Sequence, residues 1–371
     1  MHPPRFLSVL TALSAAALMS VGALPSSSAV AEPPAKHFLI TAGDASMGLS
    51  VMRVHDDGAL TPTPGSPFRT GFGILGISVS PDKKKLYVPH VGDGAVSAFR
   101  IDDAGSLHLL NTVAVGGAPT GARVTPDGKH LYVVLGGFPG QVATLAITPS
   151  GALRPLNRPR PAIGTPSSAV GMASIDPDGR FLRVTSYIST TLTSYALSPN
   201  GGARSIGTTP VAFGPVAPGY TPDGRFLYSS DEFGFGLSGF RIHADGSLTP
   251  TPGSPYPTGG VPHGVITSPD GKRLYVPNAV GTSIAAYRIH PDGRLTRIAG
   301  SPYPGPAGTL CGQVALHPSG KWLYDIDVLT VGITTRITTY RVRADGGLAP
   351  TNRPVVDTGV VMSDGPVVAL T

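Results

Sequence analysis

One octapeptide recurs along the chain and constrains the fold more than any other feature. Pro-Asp-Gly-Lys/Arg-x-Leu-Tyr-Val, with small departures, starts at Pro81 (PDKKKLYV), Pro126 (PDGKHLYV), Pro177 (PDGRFLRV), Pro222 (PDGRFLYS), Pro269 (PDGKRLYV) and Pro318 (PSGKWLYD), spaced by 45, 51, 45, 47 and 49 residues. A looser marker, aromatic-Arg-Ile-x-x-Asp-Gly-x-Leu, alternates with it. Its glycines are Gly58, Gly105, Gly151, Gly201, Gly246, Gly293 and Gly346, seven copies 45 to 53 residues apart. A fixed period of this length marks a stacked supersecondary unit.

Each period holds four short strands, a to d. Around Pro269 they are expected at 264–268, 273–277, 283–290 and 293–298. Asp270-Gly271 makes the a–b turn and Asp292-Gly293 the c–d turn, with glycine supplying the positive φ. Val, Ile, Tyr and Leu fill the strands between. Seven such units predict an all-β fold, a seven-bladed β-propeller. Separate β domains are excluded, because one unit alone cannot bury both faces of its sheet. The first unit has strands b (37–42) and c (49–55) but no strand a before them. Residues 365–370 resemble the start of the other a strands and are expected to complete the first blade, closing the ring and removing its open edges.

Composition agrees. The 371 residues include 49 Gly and 39 Pro, with 41% hydrophobic residues. Gly and Pro at that level exclude a mostly helical chain. The hydrophobic share excludes disorder, and glycine does not recur every third residue as collagen requires. Residues 1–31 read as a signal peptide: Arg5, a small apolar run from Leu7 to Leu24, then Ala29-Val30-Ala31. Cleavage near Ala31 leaves 32–371 as a single propeller domain, secreted and without a transmembrane anchor. The net charge of +6 is modest and no basic stripe interleaves with aromatics, so nucleic acid is not an expected partner. Cys311 is the only cysteine, which rules out an intrachain disulfide. A lone thiol of this kind reads as a small buried hydrophobe. A monomer is expected.

The a–b and c–d connections are tight, whereas the b–c and d–a connections vary. Strands alternate direction, so both variable sets emerge on one face, where a rigid scaffold usually carries its binding site. Two rings of positions face that mouth. Six residues before each marker proline stand Leu75, Thr120, Gly171, Val216, His263 and Gly312. At the ends of the b strands stand Ala42, His90, Leu135, Ser186, Asp231, Asn278 and Asp327. Tyr87, Tyr132, Tyr228, Tyr275 and Tyr324 repeat at one place per unit and are expected to pack blades rather than stack on a ligand.

No H-E-x-x-H, Cys/His ligand cluster, EF-hand loop or G-x-S-x-G elbow occurs. Only two glutamates exist, Glu32 and Glu232, so Glu232 is alone in the folded body. It follows Asp231 in Asp-Glu-Phe-Gly-Phe-Gly, and paired carboxylates can share a proton. Glu232, Asp231 and His263 are the candidate catalytic residues. His90, Asn278, Asp327, Phe233 and Phe235 are the candidate ligand-binding rim. No cofactor is implied. Asp231, Glu232 and Asp327 are oxygen donors of the type calcium or magnesium would take in the channel.

The unit SPDGKRLYVPN…SIAAYRIHPDGRLT resembles the bacterial lactonase family of seven-bladed propellers, which includes 6-phosphogluconolactonase and the fungal carboxymuconate-lactonizing enzymes. The resemblance covers residues 37–371. In that family one blade reads G-P-R-H-x-x-F-x-P-D-G-R-F-x-Y-V-x-N-E. Here the stretch runs from Gly214 to Glu232; the glutamate matches, and the arginine and histidine are replaced by Val216 and Ala217. The preceding blade of the family carries H-x-H and D-L-G, where this chain has Ala169, Gly171 and Ser186-Tyr187-Ile188. The resemblance implies lactone hydrolysis, and the departures imply a degenerate site. Arg123 and Arg183 are candidates to replace the missing cation.

Two functions follow. One is a secreted propeller that binds a small molecule or an extracellular protein through its loop face, without catalysis. The other is a lactone hydrolase with Glu232, Asp231 and His263 rearranged at the channel mouth. Lactone opening needs a base and donors for the oxyanion. Val216 and Ala217 offer no side-chain donors, so the sequence alone favours binding.

Overall fold

The computed structural model describes residues 37–163, 171–216, 218–330, 334–361 and 368–371. The expected signal peptide, Ala169, Ala217 and the segment 365–367 lie outside them. The described residues form seven antiparallel sheets. Blade 2 shows the plan: strands a (Ser78–Val79), b (Lys85–His90), c (Ala95–Ile101) and d (Leu107–Ala114), paired in that order. The a strands of neighbouring blades touch one another around the axis, blade 7 meeting blade 1 and blade 1 meeting blade 2. Apolar clusters fill the spaces between successive sheets; one joins Ile40 and Val51 of blade 1 to Leu86 and Val88 of blade 2.

The repeated turn residues explain why the units form. In the a–b turns of blades 2, 3, 5 and 6 a Ser or Thr hydroxyl donates to the Asp carboxylate two residues on, as in Thr125 to Asp127 (2.5 Å) and Thr221 to Asp223 (2.6 Å). The same carboxylate accepts the N–H of Lys129 or Arg225. Gly128, Gly179, Gly224, Gly271 and Gly320 supply φ of 67 to 70° there, and Lys83 takes that place in blade 2 at φ 63°. All seven c–d glycines lie at φ 82 to 93°. A Cβ on any of them would run into strand b of the preceding blade: Phe226 at 2.4 Å for Gly293, Trp322 of blade 7 at 2.4 Å for Gly58.

The repeated tyrosines pack blades, as expected. Tyr87, Tyr132, Tyr228 and Tyr275 each donate their hydroxyl to the c–d turn of the next blade, at the carbonyls of Gly151, Gly202, Gly293 and Gly346 (2.8 to 3.2 Å). In blade 4 the position is Arg183, which donates to the Gly246 carbonyl at 2.7 Å.

The outer edge departs from the four-strand expectation. In five blades strand d is broken into two pieces, for example Leu248–Pro250 and Tyr256–Pro257 in blade 5. Proline cannot donate to a ladder, so a proline-rich run is tolerated only on an edge. Where the ladder breaks in blades 1, 5 and 6, a serine hydroxyl accepts the orphaned strand-c N–H: Ser66 from Val51, Ser254 from Gly239, Ser301 from Ala286 (2.8 to 2.9 Å).

Closure is as expected in its described part. Val368–Leu370 pairs antiparallel with strand b of blade 1 (His37–Gly43), Leu39 facing Leu370 and Thr41 facing Val368. Thr371 fastens the seam from both sides: its hydroxyl accepts the Phe38 N–H at 2.7 Å and its N–H donates to the Phe38 carbonyl at 3.0 Å. Two predictions follow from these details. Deleting 368–371 is expected to lower the melting temperature of the whole ring in one cooperative transition; an unchanged melt would sink the seam as the closing element. Lys83→Gly relieves a left-handed lysine and is expected to stabilise by about 1 kcal/mol in urea unfolding. A neutral or destabilising result would show that the strain at Lys83 does not exceed the unfolded-chain entropy that glycine adds.

Candidate active site at the loop face

Glu232 follows strand b of blade 5 (Phe226–Asp231), and its N–H donates to the Gly214 carbonyl at 2.9 Å. That bond ties the b–c connection to the d–a connection and fixes where the side chain leaves the backbone. The carboxylate is buried. Tyr187, at the same register in blade 4, donates its hydroxyl to Oε2. His263, at the start of blade 6, sets its Nε2 at 3.0 Å from Oε1. When Glu232 is ionised its carboxylate can only accept, and Nε2–H of His263 is then the donor in this contact.

His263 is held from behind. Its N–H donates to the Pro277 carbonyl at 2.9 Å. Its Nδ1 faces the Gly312 carbonyl at 3.3 Å and Nε2 of Gln313 at 3.2 Å. The Gln313 amide also donates to the His263 carbonyl at 2.8 Å. A polar belt therefore runs across four consecutive blades: Tyr187, Glu232, His263, then Gly312 and Gln313. A carboxylate between a phenol and an imidazole can take a proton, and both neighbours can donate to a developing negative charge.

The other sequence candidates sit elsewhere. Asp231 points into its own blade, fully buried, and accepts from Ser238 at 2.5 Å; burial pushes its carboxyl up to about 7. His90 is buried inside blade 2, with Nε2 at 2.9 Å from the Ser97 hydroxyl, and burial lowers its basicity. Asn278 donates to Ser283 at 3.3 Å within blade 6, and Asp327 is buried in blade 7. None of these four is an open rim residue. Phe233 and Phe235 are exposed. Among the described residues no three His, Cys, Asp or Glu side chains gather as a metal site.

Neither candidate cation reaches the site. Arg183 is the blade-packing residue described above. Arg123 spends its guanidinium on the carbonyls of Ile77 (3.0 Å) and Ala122 (2.8 Å). Cys311 is fully buried and donates to Asp325 at 3.0 Å; burial pushes its thiol up, so it is an unreactive core residue.

Tyr187 and Gln313 are the site residues that sequence reasoning missed. The signal was register. Successive strand residues leave opposite faces, so the ring through Ser186, Asp231 and Asn278 points into the blades. The next residues are Gly43, Val91, Gly136, Tyr187, Glu232, Ala279 and Val328. In that ring only Tyr187 and Glu232 carry polar side-chain groups.

The family model described as Lactonase, 7-bladed beta-propeller, matches residues 37–299 and 102–360. The chain belongs to that family. Similar solved structures include the periplasmic gluconolactonase PpgL of Pseudomonas aeruginosa (20% identity, TM-score 0.75, covering 90% of this chain and 98% of that one). A candidate 6-phosphogluconolactonase of Bacteroides uniformis is 20% identical (TM-score 0.73, 90% and 99% covered). Another from Bacteroides fragilis is 22% identical (TM-score 0.71, 90% and 98% covered). At these identities the likeness is one of fold. No curated protein matches the chain.

Two buried carboxyls give a pH prediction. Burial pushes Asp231 and Asp325 each up to about 7 from an ordinary 3.8. Between about pH 4 and pH 7 the folded state therefore binds more protons than the unfolded chain, and these groups make stability fall as pH rises through that window. Above about pH 7 their penalty is constant. Asp231→Asn with Asp325→Asn should gain more melting temperature over wild type at about pH 8 than at about pH 5. An equal difference at both would refute the shifted carboxyls.

Proposed function

We propose that this protein is an exported hydrolase that opens lactones at the loop-face mouth of its channel. The observation that carries the reading is the belt Tyr187–Glu232–His263. It supplies the donors whose absence from the sequence favoured simple binding. The N-terminal segment with Ala29-Val30-Ala31, and the periplasmic setting of the similar Pseudomonas aeruginosa protein, support export.

In this reading Glu232 takes a proton from water as the water oxygen bonds to the lactone carbonyl carbon. Protonation removes the charge that holds Tyr187 and His263. Their O–H and N–H then turn to the carbonyl oxygen as it becomes an oxyanion. Collapse breaks the ring C–O bond, Glu232 returns the proton to the leaving alkoxide, and a hydroxy acid departs. Asp231 is a buried supporting residue here, not a base.

A second reading, binding without turnover, is favoured by one observation. Both oxygens of Glu232 and both ring nitrogens of His263 already have partners, so the belt is a satisfied network as it stands. Proton release from γ- and δ-lactones by purified residues 32–371 separates the two. Glu232→Gln is expected to lower kcat/KM by about 10²- to 10⁴-fold with the fold intact. No hydrolysis by folded protein, or hydrolysis indifferent to Glu232→Gln, overturns the catalytic reading.

A further inference from the structure

The surroundings of the belt also say what kind of molecule reaches it. The Phe233 ring lies edge-on to the Tyr187 ring, with centroids 5.4 Å apart at 74°. On its other side it meets Phe213, again at 5.4 Å, tilted by 34°. Phe213 is 46% exposed, Phe233 44% and Phe235 59%. Ile188 and Val280 add exposed apolar surface in the neighbouring connections. The platform is built into the backbone: a Cβ at Gly214, whose φ is +77°, would stand 2.6 Å from the Phe233 ring. Tyr187 joins platform and belt, since its ring touches Phe233 and its hydroxyl touches Glu232.

Charge points the same way. The described loop-face connections of blades 4, 5 and 6 span 187–190, 211–216, 232–235, 258–263 and 279–282. They contain no Lys, Arg or Asp; the only side chains there able to carry charge near neutrality are Glu232 and His263. Lysines and arginines cluster instead at the a–b turns of the opposite face, as at Lys83, Lys84, Lys129, Arg225 and Lys272. At these described connections of blades 4, 5 and 6 a phosphate or carboxylate group on a ligand would meet no Lys or Arg and would face Glu232. Recognition of a phosphorylated group needs such cations.

From this continuity of an exposed aromatic platform with an uncharged mouth, we infer that the ligand is an uncharged lactone with an alkyl or aryl substituent, the substituent lying on Phe213 and Phe233. The inference rests on the proposed function for the lactone and on the platform for the substituent. A sugar-phosphate lactone does not fit.

The test is a series of γ-lactones with lengthening alkyl chains, together with a phenyl-substituted lactone and a phosphorylated sugar lactone. kcat/KM is expected to rise about three- to fourfold for each methylene the platform covers, and the phosphorylated lactone should not be turned over. Phe233→Ala should collapse the ratio of long- to short-chain kcat/KM towards one. Phe138→Ala, on blade 3, should leave that ratio unchanged. Calorimetry with the matching alkyl cyclic ketones reads binding independently of turnover. Chain-length-dependent ketone binding that Phe233→Ala abolishes, without hydrolysis of any lactone, supports the platform and overturns only the catalytic reading. Turnover or binding indifferent to chain length, or preference for the phosphorylated lactone, overturns the inference.

Discussion

The ring depends on one recurring contact: a strand-b side chain of one blade donating to the carbonyl at the c–d turn of the next. Four tyrosines and Arg183 make it. Each such bond is worth about 1 kcal/mol net, but its geometry counts for more than its energy. The bond needs the next turn to come close, and the glycine at that turn permits the approach because it has no side chain. Donor and glycine fix the offset between adjacent sheets. Once that offset is set, the a strands converge on the axis and the loop connections share one face. The site inherits its layout from this stacking, since Tyr187, Glu232, His263 and Gln313 come from four successive blades and meet only if the blades keep their offset.

The architecture was legible because its determinants are local and repeated. Pro-Asp-Gly-Lys announces a turn through side-chain-to-backbone bonds within five residues, and six copies announce a ring. Strand bounds expected around Pro269 differ from the observed Arg273–Asn278 and Ser283–Ile289 by a residue. The split outer strand was not legible, because its pairing depends on serine hydroxyls that replace missing ladder bonds.

The site was half legible. Glu232 stood out by composition and His263 by its place at the start of a strand a. Tyr187 was hidden by phase: one residue along a strand reverses the face, and the ring through Asp231 and Asn278 follows the face that packs between sheets. Arg183 and Arg123 looked like spare cations because a sequence does not show which backbone carbonyls lie across a blade boundary. The chain belongs to the lactonase propellers. The sequence resemblance put an arginine and a histidine of that family at Val216 and Ala217, the second outside the described residues, and the polar groups around Glu232 come from the neighbouring blades.

The position of the seam has a consequence of its own. The ring is fastened in blade 1, where Val368–Leu370 lies against His37–Gly43, while the belt occupies blades 4 to 7. Every residue of the belt comes from one uninterrupted stretch, 187 to 313. The weakest joint of a closed ring is the one made by segments distant in sequence, because its fraying frees the most chain entropy. Here that joint lies beside strand a of blade 7, which carries Gly312 and Gln313, so fraying at the C-terminus reaches the support behind His263 before it reaches Tyr187 or Glu232.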